Sequence, residues 1–360
     1  MTYTIWFSEY DRGQAGVVGG KCSSLGEMTL AGLPVPPGFA ITTAAYQWVH
    51  ETPEVTRALT EMVESLDPDD LGKLAAASIE LRQLVESAPV PAEVADAVLA
   101  AYTRLGEQCG DPAVPVAVRS SATSEDLPDA SFAGEHETFL WVVGGQNVLA
   151  MMQRCWSSLY TERAIAYRKE MGYPHDAVLM SVAVQKMVRP KAAGVAFTLN
   201  PRDGDRSQVA IDASWGFGEA VVAGEVTPDN YLVDKVLYEI THRQVSSKEF
   251  EYRLGAAGTV EQVPITDARR DQPCLSDDEL RQVARLARAA EKYYGHPQDV
   301  EWAVDDDLTD GQNVLLLQSR PETVWSRKPV TPVAAPGADF MSSIVSTLVS
   351  PLHVRKTTGQ

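Results

Sequence analysis

Arg119 ends a short apolar run, Val114 to Val118, and is followed at once by Ser120, Ser121, Thr123 and Ser124. A guanidinium is a planar fork of donors that matches phosphate oxygens, and small hydroxyls beside it add donors without filling a core. The apolar run reads as a buried strand that delivers Arg119 at its C-terminal edge. Next, Glu125-Asp126-Leu127-Pro128-Asp129 reads as a turn. Gly134, after Ser131-Phe132-Ala133, lets backbone approach a ligand closely. The same residues also fit an ordinary strand-to-loop junction with a solvated serine and threonine run.

Two other stretches carry residue types suited to phosphate and metal. Gly13, Gly16, Gly19 and Gly20 precede Lys21, and a glycine turn opening a helix offers free N–H groups to an anion. A Walker A loop is excluded, because it needs glycine where Ala15 stands and a hydroxyl where Cys22 stands. On these residues alone, a generic glycine turn before an amphipathic helix is the better account. Toward the other end, Pro297 to Val304 and Val314 to Pro321 read as antiparallel strands joined by an acidic turn, Asp305 to Gly311. On one face of such a pair, Glu301 and Gln318 offer two hard oxygens to Mg2+, and Arg320 shares that face. A solvated edge hairpin fits too, and the turn is long for two strands meant to set Glu301 against Gln318.

The remaining stretches read as the scaffold. Residues 44–108 have helical spacing broken at Pro53, Pro68 and Pro89, Phe139 to Val142 reads as a strand, and Val148 to Lys169 as one helix. Residues 178–199 alternate like strands, with a break at Arg189-Pro190-Lys191 that fits a hairpin-like turn or a crossing between lobes. Gly216, Gly218 and Gly224 lack the third glycine and the second βαβ half of a dinucleotide fold. Residues 236–275 are polar and interrupted. A capping box at Ser276 and Glu279 opens a helix with Leu280, Val283, Ala284, Ala287, Ala290 and Tyr294 on its apolar face.

With 360 residues, 44% apolar and 22% charged, the chain has the composition of a globular protein large enough for two lobes. A net charge of −18 disfavours nucleic acid and anionic membrane as partners, so a polyanionic ligand must meet a local basic pocket. Cys22, Cys109, Cys155 and Cys274 are scattered without a C-x-x-C pair, which speaks against zinc and a disulfide framework. The N-terminal residues do not read as a signal peptide and no apolar run approaches the roughly 18 residues of a membrane span, so a cytoplasmic location is expected.

The segment V-R-S-S-A-x-x-E-D leading into S-F-A-G resembles the arginine-bearing signature of the nucleotide-binding domain shared by phosphoenolpyruvate synthase, pyruvate phosphate dikinase, rifampicin phosphotransferase and phenylphosphate synthase. Three further blocks are similar to that family in the same order: G-G-K-x-x-x-L-G-E-M with G-L-P-V-P-x-G-F, A-S-x-G-x-G-E, and D-x-E-W with L-Q-S-R-P-E-T. The resemblance covers roughly residues 13–325 and implies an α/β, two-lobed ATP-grasp fold, with lobes at 1–190 and 191–325 and a linker or docking tail at 326–360. It implies ATP and Mg2+ as ligands, with Lys21, Arg119 and Arg320 on phosphate and Glu301 and Gln318 on the metal. Gln185 would read the base edge, although a plain buried strand fits Gln185 as well. Gly134, Thr138 and Glu219 would line the nucleotide site.

In the family, ATP is cleaved to AMP and phosphate while the β-phosphoryl group passes to a histidine on a swivelling domain, which then phosphorylates a small-molecule acceptor. None of His50, His136, His175, His242, His296 or His353 stands in the expected Gly-rich acceptor context. The resemblance therefore implies a histidine-bearing partner domain or subunit, a layout most like the small subunit of phenylphosphate synthase. An isolated domain of a longer enzyme would look the same. The competing expectation is an ATP-sensing module that performs no transfer.

Overall fold

Two antiparallel sheets organise the chain in a computed structural model that describes residues 2–66, 70–123, 137–172, 178–256 and 258–325. Gly134, His136 and the 326–360 tail lie outside the described residues. Residues 1–322 form one unit, and of the second, Thr323–Gln360, only 323–325 are described.

The first sheet has the order β1-β2-β5-β3-β4, from β1 (Thr4–Trp6), β2 (Gly38–Ile41), β3 (Val116–Ala122), β4 (Thr138–Val142) and β5 (Met180–Lys186). Side chains alternate along a strand, so its two faces carry different jobs. Val116, Val118, Val182 and Val184 enter a core with α2 (Thr43–Glu51), α3 (Pro53–Ser65), α4 (Leu71–Ser87), α5 (Ala92–Cys109), α6 (Gly145–Ser157) and α7 (Glu162–Met171). Pro53 starts α3, where its missing N–H leaves no bond unmade. The single helix expected over Val148–Lys169 is two. Ser157 and Ser158 turn their hydroxyls back onto the carbonyls of Arg154 and Cys155, and Thr161 caps α7 by accepting from Ala164 N. Local hydroxyl bonds of this kind compete with the helix ladder and end it.

The second sheet runs β13-β12-β6-β7-β8-β9, from β6 (Pro190–Phe197), β7 (Gln208–Trp215), β8 (Asp229–Asp234), β9 (Ile240–Gln244), β12 (Gln298–Asp305) and β13 (Val314–Pro321). A ribbon of β10 (Phe250–Leu254) and β11 (Val260–Pro264) stands apart; the short helix α8 (Glu219–Val222) joins β7 to β8, and α9 (Asp267–Arg270) follows β11. The break at Arg189-Pro190-Lys191 is a crossing between sheets, since β5 and β6 do not pair. The expected capping box is present in α10 (Asp277–Tyr294): Glu279 N donates to Ser276 Oγ, and Ser276 N donates to Glu279 Oε2.

Between the sheets runs α1 (Ala15–Leu30). Its Val18, Cys22, Leu25 and Met28 share one core with Ala40 and Ala183 of the first sheet, Ile211, Val300 and Leu316 of the second, and Leu280, Val283 and Ala287 of α10. The α/β class with two sheet-based halves is the one expected. All four cysteines are free, and among the described residues no helix is long and apolar enough to cross a membrane.

Candidate functional site

The glycine turn and the arginine strand meet. Inside α1, Gly19 takes φ 71 and ψ 172, which breaks the helix before Lys21. A Cβ on Gly19 would sit 2.1 Å from Ser121 O, so the chain presses directly on β3. Ser121 Oγ donates to Val18 O (3.0 Å) and accepts from Cys22 N (3.1 Å), and Lys21 Nζ donates to Ser120 O at 3.1 Å. Here the expectation needs correction. The strand runs on to Ala122, so Arg119 stands in its middle, and Ser120 and Ser121 are buried in it rather than edging a phosphate loop. Ser121 is covered by α1, and Ser120, on the other face with Val118 and Ala122, is covered by the helical core.

From mid-strand Arg119 reaches across to the second sheet. Its Nη2 donates to Glu301 Oε2 at 3.0 Å and to Gln318 Oε1 at 2.8 Å, and its Nη1 donates to Leu317 O at 3.2 Å. Glu301 and Gln318 are directly paired across β12 and β13 despite the long acidic turn. Just beyond them the register shifts, since Trp302 pairs with Leu316; the extra residue, Leu317, is the one whose carbonyl meets Arg119. The side chains of Arg119 and Glu301 are only 13% and 16% exposed, so this ion pair is largely withdrawn from solvent. Thr138 is exposed at the start of β4 and pairs with Arg119.

The charge line continues. Arg320 Nη2 donates to Asp299 Oδ2 at 3.3 Å and lies 3.8 Å from Glu301 Oε1. Asp299 was not among the residues singled out from the sequence, though its spacing of two from Glu301 on one strand is the signal that places both on one face. Burial pushes its carboxyl above the usual range, with Arg320 opposing and Glu301 adding. A carboxyl whose pKa is raised on folding contributes stability below its unfolded pKa, about 4, that is lost as pH rises from there through the folded pKa. Asp299→Asn is therefore expected to raise the melting temperature at pH 7, a gain that vanishes below about pH 4. A lower melting temperature at pH 7 would mean that the Arg320 pairing outweighs burial.

The donor set fits a divalent cation that is completed by its ligand. Glu301 and Gln318 present oxygens side by side, and the buried Asp299 Oδ1 has no hydrogen-bond partner. Among the described residues no cluster of three or more His, Cys, Asp or Glu side chains could hold a metal alone. Two protein oxygens supplemented by phosphate and water is the habit of Mg2+.

Gln185 and Glu219 are not among the residues Arg119 gathers. Gln185, on β5, is 2% exposed and its Nε2 donates to Pro36 O at 3.4 Å. It lies directly opposite Ala117, two residues before Arg119, so it shares the face that carries Arg119. Beside it Ala117, Met187 and Phe217 form an apolar cluster with Leu140, Trp141, Tyr252 and Val260. The face is thus charged at the Arg119 end and apolar at the Gln185 end. Glu219 is exposed at the start of α8, and its carboxyl is pushed up first by desolvation and then by Glu225.

Comparison with known proteins finds similarity over most of the chain. Residues 15–337 match the family described as pyruvate phosphate dikinase, AMP/ATP-binding domain. The chain is 41% identical over 327 residues to a probable phosphoenolpyruvate synthase of Methanocaldococcus jannaschii, covering 91% of this chain and 27% of the relative. A probable phosphoenolpyruvate synthase of Staphylothermus marinus is 41% identical over 346 residues, 90% of this chain and 42% of the relative. A rifampicin phosphotransferase of Streptomyces sviceus is 42% identical over 323 residues, 89% of this chain and 36% of the relative. The chain thus spans less than half the length of these relatives. With nine-tenths of its residues aligned at this identity and its sheets meeting at Arg119, the chain belongs to the pyruvate phosphate dikinase AMP/ATP-binding domain family.

Proposed function

We propose that the chain is the ATP-binding component of a dikinase-type phosphotransferase, an ATP-grasp domain with lobes at 1–190 and 191–325 that acts in the cytoplasm. Mg-ATP is cleaved to AMP and phosphate, and the β-phosphoryl group passes to a histidine on a separate domain or subunit, which phosphorylates a small-molecule acceptor. The observation that carries this reading is the reach of Arg119 from the first sheet onto Glu301 and Gln318 of the second.

Catalysis of phosphoryl transfer is mostly positioning and charge neutralisation. In this reading Arg119, Lys21 and Arg320 hold the phosphates, Gly134 and Thr138 flank them, and Gln185 faces the base at the apolar end. Glu301 and Gln318 hold Mg2+, which when bound neutralises phosphate charge. Among the described residues, where His242 and His296 are the histidines with described side chains, the histidines support the need for a partner. His242 is exposed on β9, and His296 accepts at Nδ1 from Gln298 Nε2 at 2.9 Å, so neither touches the Arg119 cluster.

The test uses ATP labelled at the β-phosphate, with and without the phosphohistidine domain of a relative. Acid-labile, base-stable label is expected on the partner only. Stoichiometric label on this chain alone, lost in one of its own His→Ala variants, would overturn the split arrangement, whereas binding without transfer to any partner would leave an ATP sensor. The metal assignment has its own check. Glu301→Gln removes a charge without changing shape, so the Mg2+ concentration for half-maximal ATP binding is expected to rise several-fold. Wild-type magnesium titrations in both Glu301→Gln and Gln318→Ala would remove these two residues from the metal site.

A further inference from the structure

Strand β4 carries one residue more than β3 between two shared pairs. Val118 pairs with Phe139 and Val116 with Val142, so two steps on one strand meet three on the other, a β-bulge. In a regular strand Leu140 and Trp141 would leave on opposite faces. Here both pack against Ala117, Met187 and Phe217, while Phe139 packs against the helical core. Trp141 reaches this position with φ 57, the left-handed region that bulky residues rarely adopt. Among the described residues the other non-glycine case, Tyr238, follows a turn after β8, where such a conformation is ordinary. Trp141 adopts it inside a paired strand.

The bulge aims the indole at the second sheet. The Trp141 and Phe217 rings meet edge to face, with centroids 6.2 Å apart and planes at 82°. Phe217 belongs to the turn that leaves β7, and that turn is itself fixed: Phe217 N donates to Tyr252 O at 2.9 Å. The preceding Gly216 has φ +72 in a space where a Cβ would sit 2.2 Å from Tyr252 O. The two sheets therefore touch through the Arg119 fork at the charged end of the β3 face and through this ring pair at its apolar end, beside Gln185.

We propose that Trp141 is a positioning residue for the base of a purine nucleotide. By holding Phe217 and its turn against β4, it sets the spacing of the two sheets at the end of the site away from the phosphates. The inference rests on the nucleotide reading above and assigns to Trp141 the part of affinity that depends on the base. Backbone strain at a bulky residue is retained only where surrounding structure enforces it, and the ring contact is what it secures here.

Trp141→Asn separates role from strain, because asparagine tolerates the left-handed conformation and carries no ring. Phe217→Ala removes the other ring without touching β4. Calorimetric titration with Mg-ATP and with Mg-tripolyphosphate, alongside thermal melts, is the experiment. Each variant is expected to bind Mg-ATP at least tenfold more weakly and Mg-tripolyphosphate within twofold of the wild type. The double variant is expected to be no worse than the weaker single one, within twofold. Unchanged ATP affinity, equal loss for both ligands, or multiplying losses in the double variant would overturn the proposal while leaving the nucleotide reading intact. A wild type that binds neither ligand would sink both.

Discussion

Arg119→Ala is expected to weaken Mg-ATP binding by two to three orders of magnitude and to lower the melting temperature as well. The side chain makes three hydrogen bonds to the second sheet, two of them to Glu301 and Gln318. Breaking a largely buried ion pair by removing one partner costs about 3–5 kcal/mol, because the other charge is left with less compensation. Glu301 keeps only the more distant Arg320 at 3.8 Å. Arg119→Lys should rescue little, since a single ammonium cannot reproduce a fork that reaches Glu301, Gln318 and the Leu317 carbonyl together. Calorimetry and thermal melts on both variants check this. Wild-type affinity in Arg119→Ala would remove the arginine from the phosphate site.

Gly19→Ala is expected to be at least as damaging, although it adds one methyl group far in sequence from the charged cluster. At φ 71 an L-residue is strained, and the new Cβ would lie 2.1 Å from a backbone oxygen and 2.6 Å from Ser121 Oγ. Neither partner can yield, because Ser121 is paired with Ser181 of β5 and its hydroxyl is on Val18 and Cys22. Relief requires α1 to lift off β3, which carries Lys21 away from Ser120. The expected result is a chain that is insoluble or melts at least about 10 °C lower, in keeping with a loss of several kcal/mol. A soluble variant with wild-type melting temperature and ATP affinity would show that the break at Gly19 does not hold Lys21 in place.

Much of this architecture was legible because it is local. Apolar spacing marks the helices between 44 and 108, the capping box marks the start of α10, and alternation marks β12 and β13. The residue types of the charged cluster were legible too, but its assembly was not. Glu301 lies 182 residues from Arg119, and no periodicity says which face of one sheet meets which strand of another. The bulges at Leu317 and in β4 shift register by one residue, which reverses the face of everything beyond them and leaves no compositional trace. Ser120 and Ser121 look like solvated hydroxyls in the sequence and are buried because α1 covers Ser121 while Ser120 shares the face of Val118 and Ala122 in the helical core. The helix break after Ser157 hid for the opposite reason: the apolar stripe continues past it, and the hydroxyl bonds that end α6 are invisible to a hydrophobic pattern.

The place of α1 between the sheets bears on how the chain folds as it is made. Ser24 Oγ donates to Ser319 O at 2.7 Å across 295 residues, and the helix shares its core with strands from both ends of the sequence. During synthesis α1 emerges well before much of the surface it packs against, since β12 and β13 follow it by more than 260 residues. Its apolar face must wait, exposed or loosely covered, until β12 and β13 arrive. Closing so long a loop is slow, so the consolidation of α1 should be a late event in folding, and chains cut short before residue 297 should display that face to chaperones and aggregate readily.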